Sequence, residues 1–372
     1  MVGGILVILG FIVILMVHEG GHLISAKLLG IKATQYFLGF GPTIWSFTKN
    51  GTEYGIKAIP AGGYVRIIGM NDLENVDTTD EYATYRSRPF WQKSLVVMSG
   101  IGTHFVLAFI ILWSASVIIG APDTNKPSLE IARIIPLDDE GYPTAAKSAH
   151  MLPGDIILAV NGSSILQWSE LANTLLQNPR ESVSITLSRN DETVNVETVL
   201  GTKKDDVSGE DVGFLGITPK FDKTRENPFL AIISSLKNTV TLTKLSVLGI
   251  WEFATNFNRF IDAAINNHPE LNEIRPVSII GVTQFAVASQ QSGIFFTLNL
   301  IAYISIFIGI VNAIPLYPFD GGHFAVALYE KITSRKLDVR KLMPIGFLFF
   351  SLVVLINMVG IYYDIVNPID LT

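Results

Sequence analysis

Apolar positions in this chain gather into four long blocks instead of recurring at the spacing of a soluble core. Ile5 to Val17 is an almost unbroken apolar run, continued by Leu23, Ile24, Leu28 and Leu29, and similar blocks recur later. Hydropathy therefore predicts four membrane spans, at roughly Val2 to Leu28, Leu95 to Gly120, Ile294 to Ile314 and Met343 to Tyr363. Each is near the ~20 apolar residues that a helix needs to cross a bilayer. The first has no basic segment ahead of it and leads into no small-x-small cleavage site, so it reads as a retained span and not as a signal peptide.

Between the blocks the pattern changes. Tyr54 to Ile59 and Tyr64 to Ile68 predict two short strands joined by a Pro60-Ala61-Gly62-Gly63 turn. This pair is either a small peripheral hairpin or one that dips back into the membrane, where a free edge could pair with an extended peptide. From Ser128 to about Phe221, charged turns and alternating strands such as Ser182 to Leu187 and Thr193 to Val199 predict a soluble domain. Asn227 to Asn266 has a helical pattern interrupted by Lys237, Lys244, Glu252 and Arg259, which predicts an amphipathic helix on the outer membrane surface and not a fifth span. The expected fold class is a polytopic α-helical membrane protein. Its segments are 1–30 (first span), 31–90 (loop with the hairpin), 91–120 (second span), 121–225 (inserted domain), 226–292 (surface helix and connector), 293–325 (third span), 326–342 (loop) and 343–366 (fourth span).

Composition supports this class, since 49% of the 372 residues are hydrophobic and only 16% charged. A net charge of −6 argues against a nucleic-acid partner. Basic residues concentrate between Lys27 and Lys93 and in the loop from Lys331 to Lys341, whereas the last residues, Asn367 to Thr372, have none. The positive-inside rule then predicts both basic loops in the cytoplasm, with both termini and the inserted domain outside. There are no cysteines, which excludes disulfides, a thiol nucleophile and thiolate metal ligands.

The chemistry concentrates at His18-Glu19-Gly20-Gly21-His22, inside the first span. On a helix His18 and His22 lie one turn apart on one face, close enough for two imidazoles to share an ion. This is the His-Glu-x-x-His arrangement in which two histidines hold zinc and the glutamate takes a proton from water at the ion. Ionisable groups in a span are costly and usually functional. Zinc needs further ligands, and the best candidate for a third is Asp320, in the Pro315…Pro318-Phe319-Asp320-Gly321-Gly322-His323 stretch after the third span. The orientation argument puts it at the same cytoplasmic border as His18 and His22. An aspartate before two glycines is also ordinary turn chemistry. Asn312 is either a helix-packing amide or a group that holds the substrate backbone or the oxyanion. His323 is a candidate for the shell behind the ligands. So is His104, which a backbone carbonyl could equally satisfy.

Within the inserted domain, Leu152-Pro153-Gly154-Asp155-Ile156 to Asn161-Gly162 resembles the signature of PDZ domains, with Leu166 to Gln177 as the helix beside the peptide groove. Together with His18-Glu19-x-x-His22 and Asn312…Pro315…Asp320-Gly321-Gly322, it makes the whole chain resemble the bacterial site-2 proteases, intramembrane zinc metalloproteases of the M50 type, in their single-PDZ branch. The resemblance implies one zinc held by His18, His22 and Asp320, with Glu19 as catalytic base. It also implies a membrane re-entrant β-loop at Tyr54 to Ile68, in which Gly63, Tyr64 and Val65 are candidates to bind substrate. The substrates implied are single-span membrane proteins such as anti-sigma factors, cut in regulated intramembrane proteolysis, with a possible peptide ligand for the PDZ-like domain. Two departures stand out: many members have an asparagine where this chain has His104 four residues after Gly100, and the PDZ signature begins Ala149-His150-Met151-Leu152 where Ala-Gly-Leu is commoner.

Overall fold

A computed structural model describes residues 2–71, 74–138, 141–204, 209–266, 277–278, 280–284 and 293–366. In chain order its elements are α1 (Val2–Leu28), β1 (Ala33–Lys49), β2 (Thr52–Ile67) and α2 (Phe90–Ser114). The inserted part contains β3 (Ala121–Ile134), α3 (Ala145–Ser148), β4 (Ile156–Val160), β5 (Ser163–Ser164), α4 (Trp168–Leu176), β6 (Ser182–Arg189), β7 (Glu192–Val199), β8 (Gly201–Lys204), β9 (Asp211–Phe214) and β10 (Ile217–Thr224). After it come α5 (Pro228–Thr255), α6 (Phe257–Asn266), α7 (Ile294–Asn312), α8 (Asp320–Thr333) and α9 (Met343–Val366). The chain divides into two compact units, with Ile118 to Glu226 forming the second and the flanking segments the first.

Among the described residues, four helices are long and apolar enough to cross a membrane: Gly3–Leu28, Phe90–Ile119, Ile294–Asn312 and Met343–Val366. These helices fit a polytopic membrane protein. The second begins five residues before the expected Leu95, directly after Pro89, which lies in the extended conformation that precedes a helix. Its last turn, Ala115–Ile119, is π-helical.

Small residues let the spans approach closely where no hydrophobic effect drives them together. A methyl group on Gly21 would come within 2.7 Å of the Ser99 carbonyl, so α1 and α2 cross there in backbone contact. Ser25 and Ser99 seal the crossing with a 2.7 Å hydroxyl pair, and Ser99 Oγ also donates to the Gly21 carbonyl. Leu23, Ala26, Ile31, Ala33, Ile67, Val96, Val97 and Ile101 form one buried cluster, which locks the β1–β2 sheet onto both helices.

The sheet differs from the expected hairpin. Tyr54 to Ile59 and Tyr64 to Ile67 both belong to β2, and they pair with β1 instead of with each other. Gln35 to Leu38 is matched by Gly63 to Arg66 and also by Glu53 to Ile56, so this stretch of β1 lies between two parts of β2. Asn50-Gly51, both at positive φ, makes the tight turn that sends the chain back along β1. The Pro60 to Gly63 stretch then carries β2 across to the other side of β1.

The segment expected as one amphipathic helix is two, broken at Asn256. The first, α5, buries a face of small residues, Ala231, Ser235, Thr239 and Ser246. Leu242 packs onto the cluster of Ala108, Leu112, Ala302 and Ile306 from α2 and α7.

The second unit has its own core, in which Ile131, Ile157, Leu171, Ile185, Leu187 and Leu215 are almost fully buried. Its main sheet runs β10-β3-β4-β6-β7, with β5 beside β4, and α4 occupies the expected Leu166 to Gln177 helix. Asp155 of the Pro-Gly-Asp turn is buried and accepts from Leu152 N at 2.8 Å and from Arg189 Nε at 2.8 Å.

Candidate metal centre

The histidine pair falls well inside α1, with His18 7% and His22 3% exposed. A helical spacing of four puts their Nε2 atoms 3.3 Å apart. From the other end of the chain, α8 begins at Asp320, whose Oδ2 lies 3.2 Å from His18 Nε2 and 3.1 Å from His22 Nε2. Among the described residues, His18, His22 and Asp320 are the group of ligand-type side chains whose donor atoms converge, all within 4.8 Å of one another.

Asp320 reaches that point because α8 is pressed against the segment that leads into it. A methyl group on Gly322 would come within 2.7 Å of the Leu316–Tyr317 peptide, and Gly321 lies just as tightly against the Ala313 and Ile314 carbonyls. Lys93 of α2 and Glu330 of α8 form a 3.2 Å ion pair that ties the two helices further along.

The donors suit zinc. Two imidazole nitrogens and a carboxylate oxygen form the N,N,O set that leaves a fourth position open. His22 is already oriented, because its Nδ1 donates to the Val96 carbonyl at 2.8 Å, which leaves Nε2 with a bare lone pair facing Asp320 and His18. Behind this ring lies Gly100, where a methyl group would overlap the imidazole.

Glu19, the next residue along the helix from His18, reaches the sheet, and its Oε2 accepts from the Val65 amide at 2.9 Å. Gly63 faces the same helix, since a methyl group there would meet Met16 Sδ at 2.9 Å and Glu19 Cγ at 3.8 Å. By the alternation of an extended strand, Gly63 and Val65 direct their backbone groups to the outer edge of β2. Tyr64 turns away and stacks on Phe37 and Phe40. Tyr36 Oη donates to the Met16 carbonyl at 2.6 Å and pins β1 to α1 one turn before the glutamate.

The other expected residues fall at varied distances from this cluster. His104 is almost fully buried, with its ring centroid 4.8 Å from that of His18. His323 lies one turn past Asp320 and is engaged by Tyr317, whose Oη is 3.2 Å from His323 Nδ1, so it is not among the converging ligands. Asn312 is half-buried at the end of α7. Sequence reasoning missed the Val96 carbonyl and the Val65 amide as partners of the site. Both are backbone groups, so residue chemistry carries no direct signal for them.

The family described as Peptidase family M50 matches residues 6–356. Zinc metalloprotease Rip1 of Mycolicibacterium smegmatis is 28% identical over 406 aligned positions, covering 100% of this chain and 98% of that protein. A putative zinc metalloprotease of Clostridium acetobutylicum is 27% identical over 98% of both chains. A probable chloroplastic membrane metalloprotease of Arabidopsis thaliana is 26% identical over 88% of this chain and 71% of its own length.

Proposed function

We propose that this chain, which belongs to peptidase family M50 and is a multi-pass membrane zinc metalloprotease of the site-2 type, cuts single-span membrane proteins within or beside their membrane segment. Anti-sigma factors are the substrate class in view, and the physiological output is the release of a cytoplasmic signal. The observation that carries the reading is the convergence of His18, His22 and Asp320 beside a glutamate whose carboxylate is held by the edge of a strand.

His18, His22 and Asp320 would hold the metal. Zinc, when bound, supplies a Lewis acid that acidifies water and polarises a carbonyl oxygen. Glu19 takes the proton from the attacking water, holds it on its carboxylate and delivers it to the leaving amine nitrogen. A helical substrate hides its peptide bonds in its own hydrogen bonds, so cleavage needs an extended segment. The outer edge of β2 at Gly63 and Val65 supports such a segment by strand addition, with Tyr64 stiffening the strand from its inner side. Asn312, at the end of α7, would hold the substrate backbone.

The inserted unit is read as a PDZ-like domain outside the cytoplasm. Among the described residues its terminal strand β10 has no strand on its outer side, and a peptide could add there. The distribution of basic residues favours both chain termini on that side and the metal centre toward the cytoplasmic end of α1.

The test is co-expression with single-span reporters. Glu19→Gln should abolish cleavage while the purified protein keeps its zinc, since the substitution removes the proton acceptor and none of the three ligands. Cleavage by Glu19→Gln at the wild-type rate would refute the role of Glu19, and a wild-type protein without zinc would refute the site.

A further inference from the structure

The two metal-type histidines of α1 are not equally supported. A ligating imidazole almost always donates its other ring N–H to an acceptor that fixes its tautomer and orientation. His22 has the Val96 carbonyl for this purpose. His18 does not: its Nδ1 is buried and meets no hydrogen-bond partner among the described residues.

A matching group lies beside it. His104 is 1% exposed, its Nε2 is likewise buried without a partner, and its ring is 4.8 Å from that of His18, centroid to centroid, at an interplanar angle of 33°. Which nitrogen of His104 carries the proton follows from Ser305. The Ser305 hydroxyl donates to the His104 carbonyl at 3.0 Å, so its proton is already committed. Toward His104 Nδ1, 3.4 Å away, Ser305 Oγ can then only accept. That arrangement puts the proton on Nδ1 and leaves Nε2 a bare lone pair, a buried acceptor beside the buried Nδ1 of His18.

We propose that His104 is a positioning residue, whose Nε2 accepts the Nδ1–H of His18 through one water molecule, as the Val96 carbonyl accepts directly from His22. The two nitrogens make no direct hydrogen bond, and a buried donor beside a buried acceptor is a pairing that a single bridging water satisfies. The helices supply the register. Because α1 and α2 run antiparallel at this crossing, the four-residue step from His22 back to His18 is matched by the four-residue step from Gly100 to His104. Gly100 makes room for one imidazole, and His104 meets the other. Gly309 of α7 holds His104 from behind, where a methyl group would come within 2.8 Å of its Cβ.

This rests on the reading of His18, His22 and Asp320 as the zinc site, and the experiment separates the two. Full-length protein in detergent is titrated with zinc against a chromogenic chelator, for wild type, His104→Phe and His104→Gln. His104→Phe should bind zinc about 10- to 100-fold more weakly, and His104→Gln, which returns an acceptor at the same reach, should recover most of that loss. In parallel, long-range proton–nitrogen spectra of the zinc-loaded wild type, with the His104 signals assigned by their absence in His104→Gln, should show His104 protonated at Nδ1 and bare at Nε2. The spectrum decides even if His104→Phe fails to fold. Protonation at Nε2, or undiminished zinc affinity in a folded His104→Phe, overturns the proposal while leaving the zinc site standing. Wild type that binds no zinc overturns both.

Discussion

Gly100→Ala tests whether the close approach of α2 to His22 matters, because two effects of opposite sign compete at that position. In a helix interior, replacing glycine by alanine ordinarily stabilises by about 0.5–1 kcal/mol. At Gly100 the new methyl would overlap the His22 ring, with Cδ2 2.8 Å away and Nε2 and Cε1 nearer still. Relief requires the imidazole to retreat by roughly 1 Å, yet its Nδ1 is bonded to Val96, four residues back on the same helix as the intruding methyl. The ring cannot slide away without losing that bond, worth about 1 kcal/mol, on top of about 1–3 kcal/mol for overpacking. The clash wins, by about 1–3 kcal/mol net. If the protein instead tolerates a displaced ligand, a shift of about 1 Å costs on the order of 10²-fold in rate. Gly102→Ala is the control, since a methyl there meets nothing within 4 Å. Thermal unfolding in detergent, zinc per chain and reporter cleavage should show Gly100→Ala impaired in zinc retention and cleavage and no more stable than wild type, with Gly102→Ala neutral or slightly stabilised. Identical behaviour of the two variants would refute the reasoning.

Two further predictions use other parts of the molecule. Val65→Pro removes the amide that donates to Glu19, a bond to a charged group worth about 1.5–3 kcal/mol, so reporter cleavage should fall roughly 10- to 100-fold with zinc content unchanged; wild-type cleavage would show that the bond is incidental. In the inserted unit, burial alone would raise the Asp155 carboxyl, but the Arg189 guanidinium and the Leu152 N–H hold it below the ordinary carboxylate range. A carboxylate with a depressed folded value contributes stability above its unfolded value, near 4, and loses it as pH falls through the folded one. Urea unfolding of the Ile118–Glu226 unit should therefore show Arg189→Ala less stable by about 1–3 kcal/mol at pH 7, with the gap to wild type closing below pH 4; equal stability at pH 7 would contradict the pairing.

What could be read from the sequence follows the kind of signal each feature leaves. Spans are legible because a bilayer imposes one requirement over some twenty consecutive residues, and the helices at Gly3–Leu28, Ile294–Asn312 and Met343–Val366 lie close to the hydropathy blocks. The His18 and His22 pair was legible because helical spacing alone sets its geometry. Asp320 was harder, since nearly three hundred residues separate it from His22, yet the charge pattern of the loops placed both at one membrane border. The β1 strand shows a different failure. Its run of Thr, Tyr, Phe, Ile and Trp and the Asn50-Gly51 turn are ordinary strand and hairpin signals, but Gly39, Gly41 and Pro42 interrupt the run, and the Pro60-Ala61-Gly62-Gly63 stretch carries a competing turn signal.

Partners that carry no side chain left no trace at all. The ring of His22 is fixed by a carbonyl and the carboxylate of Glu19 by an amide. Any residue but proline could have supplied the amide, and any residue at all the carbonyl, so the identities of Val96 and Val65 hold no record of the task. What sequence does record is the constraint beside it: Gly100 stands one turn from Val96 because a helix that offers its carbonyl to a ring must also leave that ring room. A glycine four residues after an otherwise unremarkable apolar position, on a span that faces a histidine, is therefore the pattern by which such a backbone support can be sought.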